Sequence, residues 1–369
     1  MLGKTAERLL RKNWSDDDVQ RYVGDVEAAY LTYATAGEVR TTAASGGTTS
    51  AILIHGLAHG LFDGAVVCET IVIDGKVRPR FAIATTTEAV LAARGSTYVE
   101  TRFVRDVLPL IREFDGTVAV VGLPCDITAL RRHAARDPEL DVKIALTIAL
   151  VCGHNSRTEL IDHVTDRLEH EVGASLTQYR FSVGHWRGRL EAEFDDGTLV
   201  SKPSREFKTY QNLYVCAERK CLSCADHYGY DADISSGDVW LYRLKSDPIK
   251  RTGIITRTAR GQAVFDSAAG SGEVGSEGID VRVIMDGQSR IGPSHYNVTA
   301  RARAGRRLGV TVRDRVNARV SWHEYLNAVF SIGTMKLSET ERGRGLIFRT
   351  PRPVLRAYLF VKKGLESLP

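Results

Sequence analysis

Four of the six cysteines stand where a fold could gather thiolates. Cys221 and Cys224 form a Cys-x-x-Cys pair in "RKCLSCADHYGYDADISSGDVW", while Cys125 and Cys152 each close an apolar run, "VAVVGLPC" and "IALTIALVC". In open parallel sheets ligands sit at the carboxyl ends of strands, and neighbouring strands lie about 4.8 Å apart. Two strand-end thiols can therefore face one small object, with the Cys-x-x-Cys loop supplying two more. Four thiolates suit tetrahedral zinc or an iron-sulfur cluster, and ligand count alone does not choose. A dithiol that cycles to a disulfide is the rival for Cys221 and Cys224, but such a pair ordinarily opens a helix after a strand, whereas aspartate and glycine follow here. Cys68, in "GAVVCET", reads as a small strand hydrophobe. Cys216, five residues before Cys221, competes as a ligand.

Glycine turns offer a second chemistry. "ASGGTTSAIL" can set backbone amides and the hydroxyls of Ser45, Thr48, Thr49 and Ser50 at a helix start, where phosphate is favoured. It lacks both the Gly-Lys-Ser/Thr ending of a nucleoside-triphosphate loop and the Gly-x-Gly-x-x-Gly dinucleotide fingerprint, so a plain capped turn reads equally well. "ARGSTYVE" gives Gly95, Ser96 and Tyr98 a similar claim, with Tyr98 as an aromatic wall or as core.

Elements must carry these groups to one place. "WSDDDVQRYV" is an Asp-rich helix start leading to an apolar strand. Near-continuous apolar strands "GAVVCETIV", "TVAVVGLPC" and "VKIALTIALVC" alternate with helical runs such as "DITALRRHAARD" and "SRTELIDHVTDRLEHEVG", which predicts an α/β fold with a mainly parallel sheet and flanking helices. After about residue 175 the pattern becomes a mixed α+β region, with antiparallel strands turning at Asp196-Gly197, then the cysteine loop, then a strand-turn-strand reading of "TGIITRTARGQAVFDSA". The expected segments are a helical arm over 1–30, an α/β core over 31–175, a strand-rich region over 176–267, a Gly/Ser loop over 268–280, and an α+β region over 281–369 ending in a helix.

At 369 residues the chain can bury a core without disulfide staples. No apolar run reaches the length of a membrane span or signal segment, so a cytoplasmic protein is expected, where structural disulfides are rare. Net charge is +5. The densest basic run, "TARARAGRRLGVTVRDRVNARV", lacks interleaved aromatics; it reads as a solvated face rather than a nucleic-acid site, and a docking face for an acidic redox protein would look the same.

In order along the chain, "SGGTTSAILIHGLAHGLFDGAVV", "ARGSTYVE", "VAVVGLPCDITALRR", "ALVCGH", "CLSCADHYGYDADISSGDVW" and "TGIITRTARGQAVFDSA" resemble the beta subunits of coenzyme F420 (deazaflavin) hydrogenases and dehydrogenases, a family that includes chlorophyll-pathway reductases. The likeness runs from about residue 30 to 265. It implies an oxidoreductase or electron-transfer subunit with FAD and at least one 4Fe-4S cluster. The implied cluster ligands are Cys125, Cys152, Cys221 and Cys224. Gly46, Gly47, Thr49, Ser50, Gly95, Ser96 and Tyr98 would lie at the flavin, with Asp233, Ser235, Gly237 and Asp238 beside it. Some relatives add a ferredoxin-like module; with Cys68 and Cys216 alone left over, one cluster is expected here. Electrons would then come from a reduced carrier (a deazaflavin coenzyme, ferredoxin or nicotinamide) and pass to a small substrate or a partner redox subunit, with homo-oligomerisation open. His154 and His227 would border the cluster as tuning or solvent-facing groups. His185, Trp186 and Arg187 would bound a substrate mouth, and Arg257 would face an anionic cofactor or solvent. A zinc-stabilised binding protein and a metal-free thiol-disulfide enzyme are the competing readings.

Overall fold

The computed structural model describes residues 12–186 and 188–368; the start of the expected N-terminal arm and Arg187 lie outside the described residues. Ser15 opens the helix Asp16–Tyr22 with a capping box, its hydroxyl accepting the Asp18 N–H at 3.1 Å while the Asp18 carboxylate accepts the Ser15 N–H. The described strands are β1 (Ala28–Ala34), β2 (Gly64–Ile73), β3 (Lys76–Ala84), β4 (Val118–Gly122), β5 (Ile144–Leu150), β6 (Leu176–Val183), β7 (Arg189–Phe194), β8 (Leu199–Pro203), β9 (Ile234–Asp238), β10 (Thr252–Thr256) and β11 (Val274–Gly278). Eight form one sheet in the order β11-β1-β10-β9-β5-β4-β2-β3, and β6-β7-β8 form a second.

The sheet is mixed rather than mainly parallel. Its centre is parallel, β2 to β4 to β5 to β9, but β3, β10, β1 and β11 add antiparallel pairs at both flanks. The apolar runs that suggested a parallel sheet report burial on both faces, which central antiparallel strands share. Alternation shows the two faces. Ala119 of β4 packs with Ala65, Ile52 and Phe265 on one side, while Val118 and Val120 pack with Phe103, Ile127 and Leu130 on the other.

Three further expectations change. In "TRTARGQAVFDSA" the chain forms not a strand but the helix Ala259–Gly270, capped by Thr258, whose hydroxyl accepts the Gly261 N–H at 3.1 Å; buried Gly261, Phe265 and Ala268 recur at helical spacing. The Gly/Ser segment 268–280 contains β11, where glycines tolerate the close pass over Tyr33: a Cβ at Gly275 would stand 2.4 Å from that ring. The elements of residues 281–368 are all helices, joined by irregular chain such as 309–321, with no strand among the described residues. The Asp196-Gly197 hairpin and the final helix, Arg352–Ser367, form as expected. β9 and β10 lie in the 176–267 segment yet are inner strands of the sheet that β1 to β5 begin, so the cysteine loop before β9 returns to β5.

Candidate functional site

The cysteines gather at the carboxyl edge of the parallel strands. Cys125 follows β4 in the first turn of the helix Pro124–Ala134, where the Leu123 N–H donates to Asp126 at 3.1 Å. Cys152 follows β5; its N–H donates to the His227 carbonyl at 3.0 Å, and its own carbonyl accepts from His227 Nδ1 at 2.8 Å. The 221–224 loop is held from three sides. The Asn155 N–H points at Cys221 Sγ, 3.4 Å away. Asp226 accepts the N–H groups of Tyr228, Gly229 and Tyr230, folding the following chain so tightly on β5 that a Cβ at Gly229 would stand 2.2 Å from Ala149 Cβ. Arg301 donates to the Leu222 and Cys224 carbonyls at 2.8 and 2.7 Å.

All six cysteines are free thiols, and their electrical neighbourhoods separate four from two. Burial pushes Cys125, Cys152, Cys221 and Cys224 up, Cys221 to about 12, and the charges of other members of the quartet add to that rise at Cys125, Cys152 and Cys221. Cys68 and Cys216 are also raised by burial, to about 12 and about 11, but the charges acting on them are Asp126 and Glu69 for the first and Arg157, Glu159 and Arg344 for the second. Cys216 adopts φ +54°, its N–H donates to Ser338 at 2.8 Å, and it packs in the core of the second sheet. Its nearness to Cys221 in sequence does not bring it to the quartet.

The quartet is also wide. Among the described residues, His55, His59 and Glu273 form the only group of three or more ligand atoms within 4.8 Å of one another. Both ring nitrogens of His55 are already engaged, with Glu273 at 2.9 Å and Ser267 at 2.8 Å, which ties the helix Thr48–Ala58 to Ala259–Gly270.

Beside Cys152 opens a cavity of about 1270 Å³, whose wall includes Val151, Gly153 and His227. Lys12, Arg205, Lys208, Arg243, Arg290 and Lys363 line it against two carboxylates, Asp238 and Asp286. Tyr98 and Trp240 supply aromatic wall, with Lys208 Nζ 5.6 and 6.0 Å from their ring centres. Asp238 Oδ1 and, across a small recess from it, Lys250 Nζ are buried without a hydrogen-bond partner among the described residues; burial pulls the Lys250 ammonium down, against the opposing pull of Asp238.

The expected flavin-side residues divide. Gly47, φ +82°, precedes the helix Thr48–Ala58; the Gly46 N–H donates to Thr252 at 2.8 Å, and Thr49 bridges to Ser236 of β9 at 2.8 Å. Ser50 is half-buried in the same first turn. Tyr98 and Asp238 line the large cavity; Gly46, Gly47, Thr49, Ser50, Gly95 and Ser96 do not. Successive strand residues face opposite sides, so Ser235 turns away from Thr49 and accepts from Arg257 at 2.8 Å. Gly237 has room for no side chain: a Cβ there would be 2.6 Å from Val151. Asp233 is occupied by Arg131, Arg260, Thr147 and Thr258.

His227 is buried and His154 half-buried rather than solvent-facing, and desolvation presses both to about 4, so both are neutral at pH 7. His154 bonds the Gln211 carbonyl and stacks on Tyr214. Arg257 bonds Ser235 and the Val23 and Asp25 carbonyls through Nε and Nη1, while its Nη2 is buried without a hydrogen-bond partner among the described residues. His185 and Trp186 border the recess at Asp238 and Lys250. Sequence reading missed Lys208, Trp240, the cavity-facing C-terminal helix and Arg301. Arg205 and Lys208, three apart on one helix, were a usable signal; Arg301 was lost within a run of outward arginines.

The family model described as coenzyme F420 hydrogenase/dehydrogenase, beta subunit N-term, matches residues 29–108, and its C-terminus counterpart matches 115–281. The coenzyme F420 hydrogenase subunit beta of Methanosarcina barkeri is 22% identical over 255 residues, 68% of this chain and 81% of that one. The subunit of the same name from Methanococcus voltae is 26% identical over 262 residues, covering 70% and 86%. The coenzyme F420-dependent sulfite reductase of Methanocaldococcus jannaschii is 28% identical over 234 residues, 59% of this chain and 34% of that protein. In fold, the chain is similar to one in the solved F420-reducing NiFe hydrogenase complex of Methanosarcina barkeri, with a TM-score of 0.60 at 20% identity, covering 80% of this chain and 98% of that one.

Proposed function

Because the chain belongs to the coenzyme F420 hydrogenase/dehydrogenase beta-subunit family, whose members are oxidoreductase electron-transfer subunits, we propose that it carries one 4Fe-4S cluster on Cys125, Cys152, Cys221 and Cys224 and one FAD in the cavity beside them. It moves electrons between a reduced carrier, a deazaflavin coenzyme or ferredoxin before a nicotinamide, and a small substrate or a partner redox subunit. The observation that carries this reading is adjacency: Val151 and Gly153, on either side of Cys152, are cavity wall.

The residues fit both groups. Four thiolates around one zinc ion would stand about 3.8 Å apart, given Zn–S bonds of about 2.3 Å, whereas no three of these sulfurs lie within 4.8 Å of one another. A four-iron cluster spaces its ligands more widely, and the Asn155 N–H aimed at Cys221 Sγ is the hydrogen bond such a sulfur accepts. This spacing favours the cluster over the zinc-stabilised reading. On the cavity side, the excess of cations suits a pyrophosphate, and the unpartnered Asp238 Oδ1 awaits a polar partner. Bound together, a flavin and a cluster couple two-electron to one-electron chemistry. The chain's own part is to hold and insulate. Tyr98 and Trp240 wall the cavity, Lys208 offers charge between them, and His227, its Nδ1–H given to the Cys152 carbonyl, fixes that strand end as a neutral group. No described helix is long and apolar enough to cross a membrane.

Anaerobic purification followed by flavin, iron and sulfide analysis tests the reading, with about four iron, about four sulfide and one FAD expected per chain. Serine at Cys125, Cys152, Cys221 or Cys224 should strip iron and sulfide, and serine at Cys68 or Cys216 should leave them near normal. Zinc without sulfide would defeat the cluster, and absence of FAD after reconstitution with excess cofactor would defeat the flavin.

A further inference from the structure

The family match ends at residue 281, and the chain continues into the basic run that electron transfer within the site does not use. We propose that Arg303, Arg306, Arg307, Arg313, Arg315 and Arg319 form the docking surface for a small acidic one-electron carrier protein, seated over the Cys221–Cys224 loop. This rests on the cluster reading above and adds the face through which single electrons pass.

All six arginines are exposed, and none is in a salt bridge with a described residue. Between residues 303 and 319 the only acid is Asp314, and it accepts the N–H groups of Val316 and Asn317 at 2.9 and 3.2 Å. Six cations against that one acid, which already feels the Arg306 charge, are self-repelling, and an acidic surface relieves that while steering encounter.

Position makes the array specific. The helix Val298–Leu308 turns Arg301 inward, where it grips the carbonyls of Leu222 and Cys224, and turns Arg303, Arg306 and Arg307 outward. Past that helix the Arg313 N–H donates to Ser223 Oγ at 2.9 Å, and Ser223 stands between the two cysteines. The arginine face is thus bonded directly to the cysteine loop, and Ser223 and Cys224 are half-buried rather than sealed. Trp322, 66% exposed and three residues beyond Arg319, supplies the aromatic anchor typical of such an interface. The large cavity approaches the quartet from another side, at Cys152, so a small molecule and a protein carrier need not compete. In the exchange one electron leaves the carrier's metal centre, which is oxidised, and one enters the cysteine-held cluster, which is reduced; no atom or proton is transferred.

The test uses the full-length, cluster-loaded protein and a reduced plant-type 2Fe-2S ferredoxin as the acidic probe, following cluster reduction by stopped flow across a range of salt. Arg306→Glu/Arg307→Glu and Arg313→Glu should lower the second-order rate at low salt by about tenfold or more and flatten its salt dependence. Arg132→Glu/Arg136→Glu, exposed at the far end of the helix whose first turn holds Cys125 and in the loop after it, should stay within about twofold despite a charge change equal to that of the double patch variant. Reduction by dithionite should be the same in all variants. Unchanged ferredoxin rates in the patch variants, or a wild type reduced by dithionite but not by ferredoxin, would overturn the docking proposal alone. So would loss of duplex DNA binding in those variants with ferredoxin rates intact. A wild type without iron and sulfide would overturn the cluster reading first, and the docking with it.

Discussion

Arg301 is 4% exposed, and its guanidinium bonds four carbonyls, those of Leu222, Ser294, Cys224 and His295, with no carboxylate in salt-bridge reach among the described residues. A buried cation in that state is costly unless a negative charge stands near, and the charges that favour its protonated form include Cys224 and Cys221. The cluster proposed on those thiolates would supply that charge, and Arg301, which already steadies the loop, would then make an added electron cheaper to accept. Arg301→Gln should therefore shift the cluster potential downward by on the order of 50–100 mV. A unit charge about 8 Å away at an effective dielectric of about 20 is worth about 2 kcal/mol, and about 59 mV corresponds to 1.4 kcal/mol for one electron. Arg301→Lys should fall between. A redox titration followed by electron paramagnetic resonance reads this; an unshifted potential in a fully loaded Gln variant would show that the charge acts on the fold alone.

At the scale of elements, Asp233 joins the parts that set the cysteines in place. It bonds Thr147 of β5, Arg131 of the helix that Cys125 opens, and Thr258 and Arg260 at the start of Ala259–Gly270. Burial alone would raise its pKa, but the two arginines and the two hydroxyls outweigh that and hold it below the ordinary carboxylate value. A lowered folded pKa means that the stabilisation is present above the unfolded value, about 3.9, and is lost as pH falls through the folded one. Asp233→Asn should cost about 2–4 kcal/mol at pH 7, less than a fully sealed pair because Arg260 is 44% exposed. The gap between variant and wild type should narrow only below about pH 4; urea melts across pH would expose a different rule if the gap were constant.

Over the whole molecule, the cavity belongs to no single segment. Lys12, Tyr98, Lys208, Asp238 and Gly287 come from distant stretches, and the last helix closes the wall with Leu359, Phe360, Lys363, Gly364 and Ser367. That helix is anchored inward by Lys362, 2% exposed, which pairs with Glu366 and lies 4.9 Å from the Tyr214 ring that stacks on His154. A chain ended at Thr350 should lose flavin affinity at least tenfold in fluorescence titration while keeping its iron, because the hydrogen bonds that hold Cys125, Cys152, Cys221 and Cys224 among the described residues all come from before residue 351. Equal flavin affinity in the shortened chain would place the cofactor elsewhere.

Local chemistry was legible without a fold. The glycine turn before the helix Thr48–Ala58, the Asp196-Gly197 hairpin and the strand-helix alternation through residue 172 follow from residue types at fixed spacing, where near neighbours decide the outcome, and the same kind of signal picks out the four cysteines whose ligation is proposed above; the Ser/Thr cap read for that turn does not form, since Gly47 is the N-cap and no side chain bonds the helix start. Strand direction did not follow, because β1 and β10 carry the same apolar burial signal as β4 and β5 whichever way they run. Nor did the roles of Ser235, Gly237 and Asp233, since a one-residue step along β9 flips the face and hands each side chain to a different partner. The packing of Cys216, the inward turn of Arg301 and the cations of the cavity depend on contacts between segments far apart in the chain. Only the closed tertiary structure decides such contacts, since their energies come from burial and charge that exist once distant segments meet.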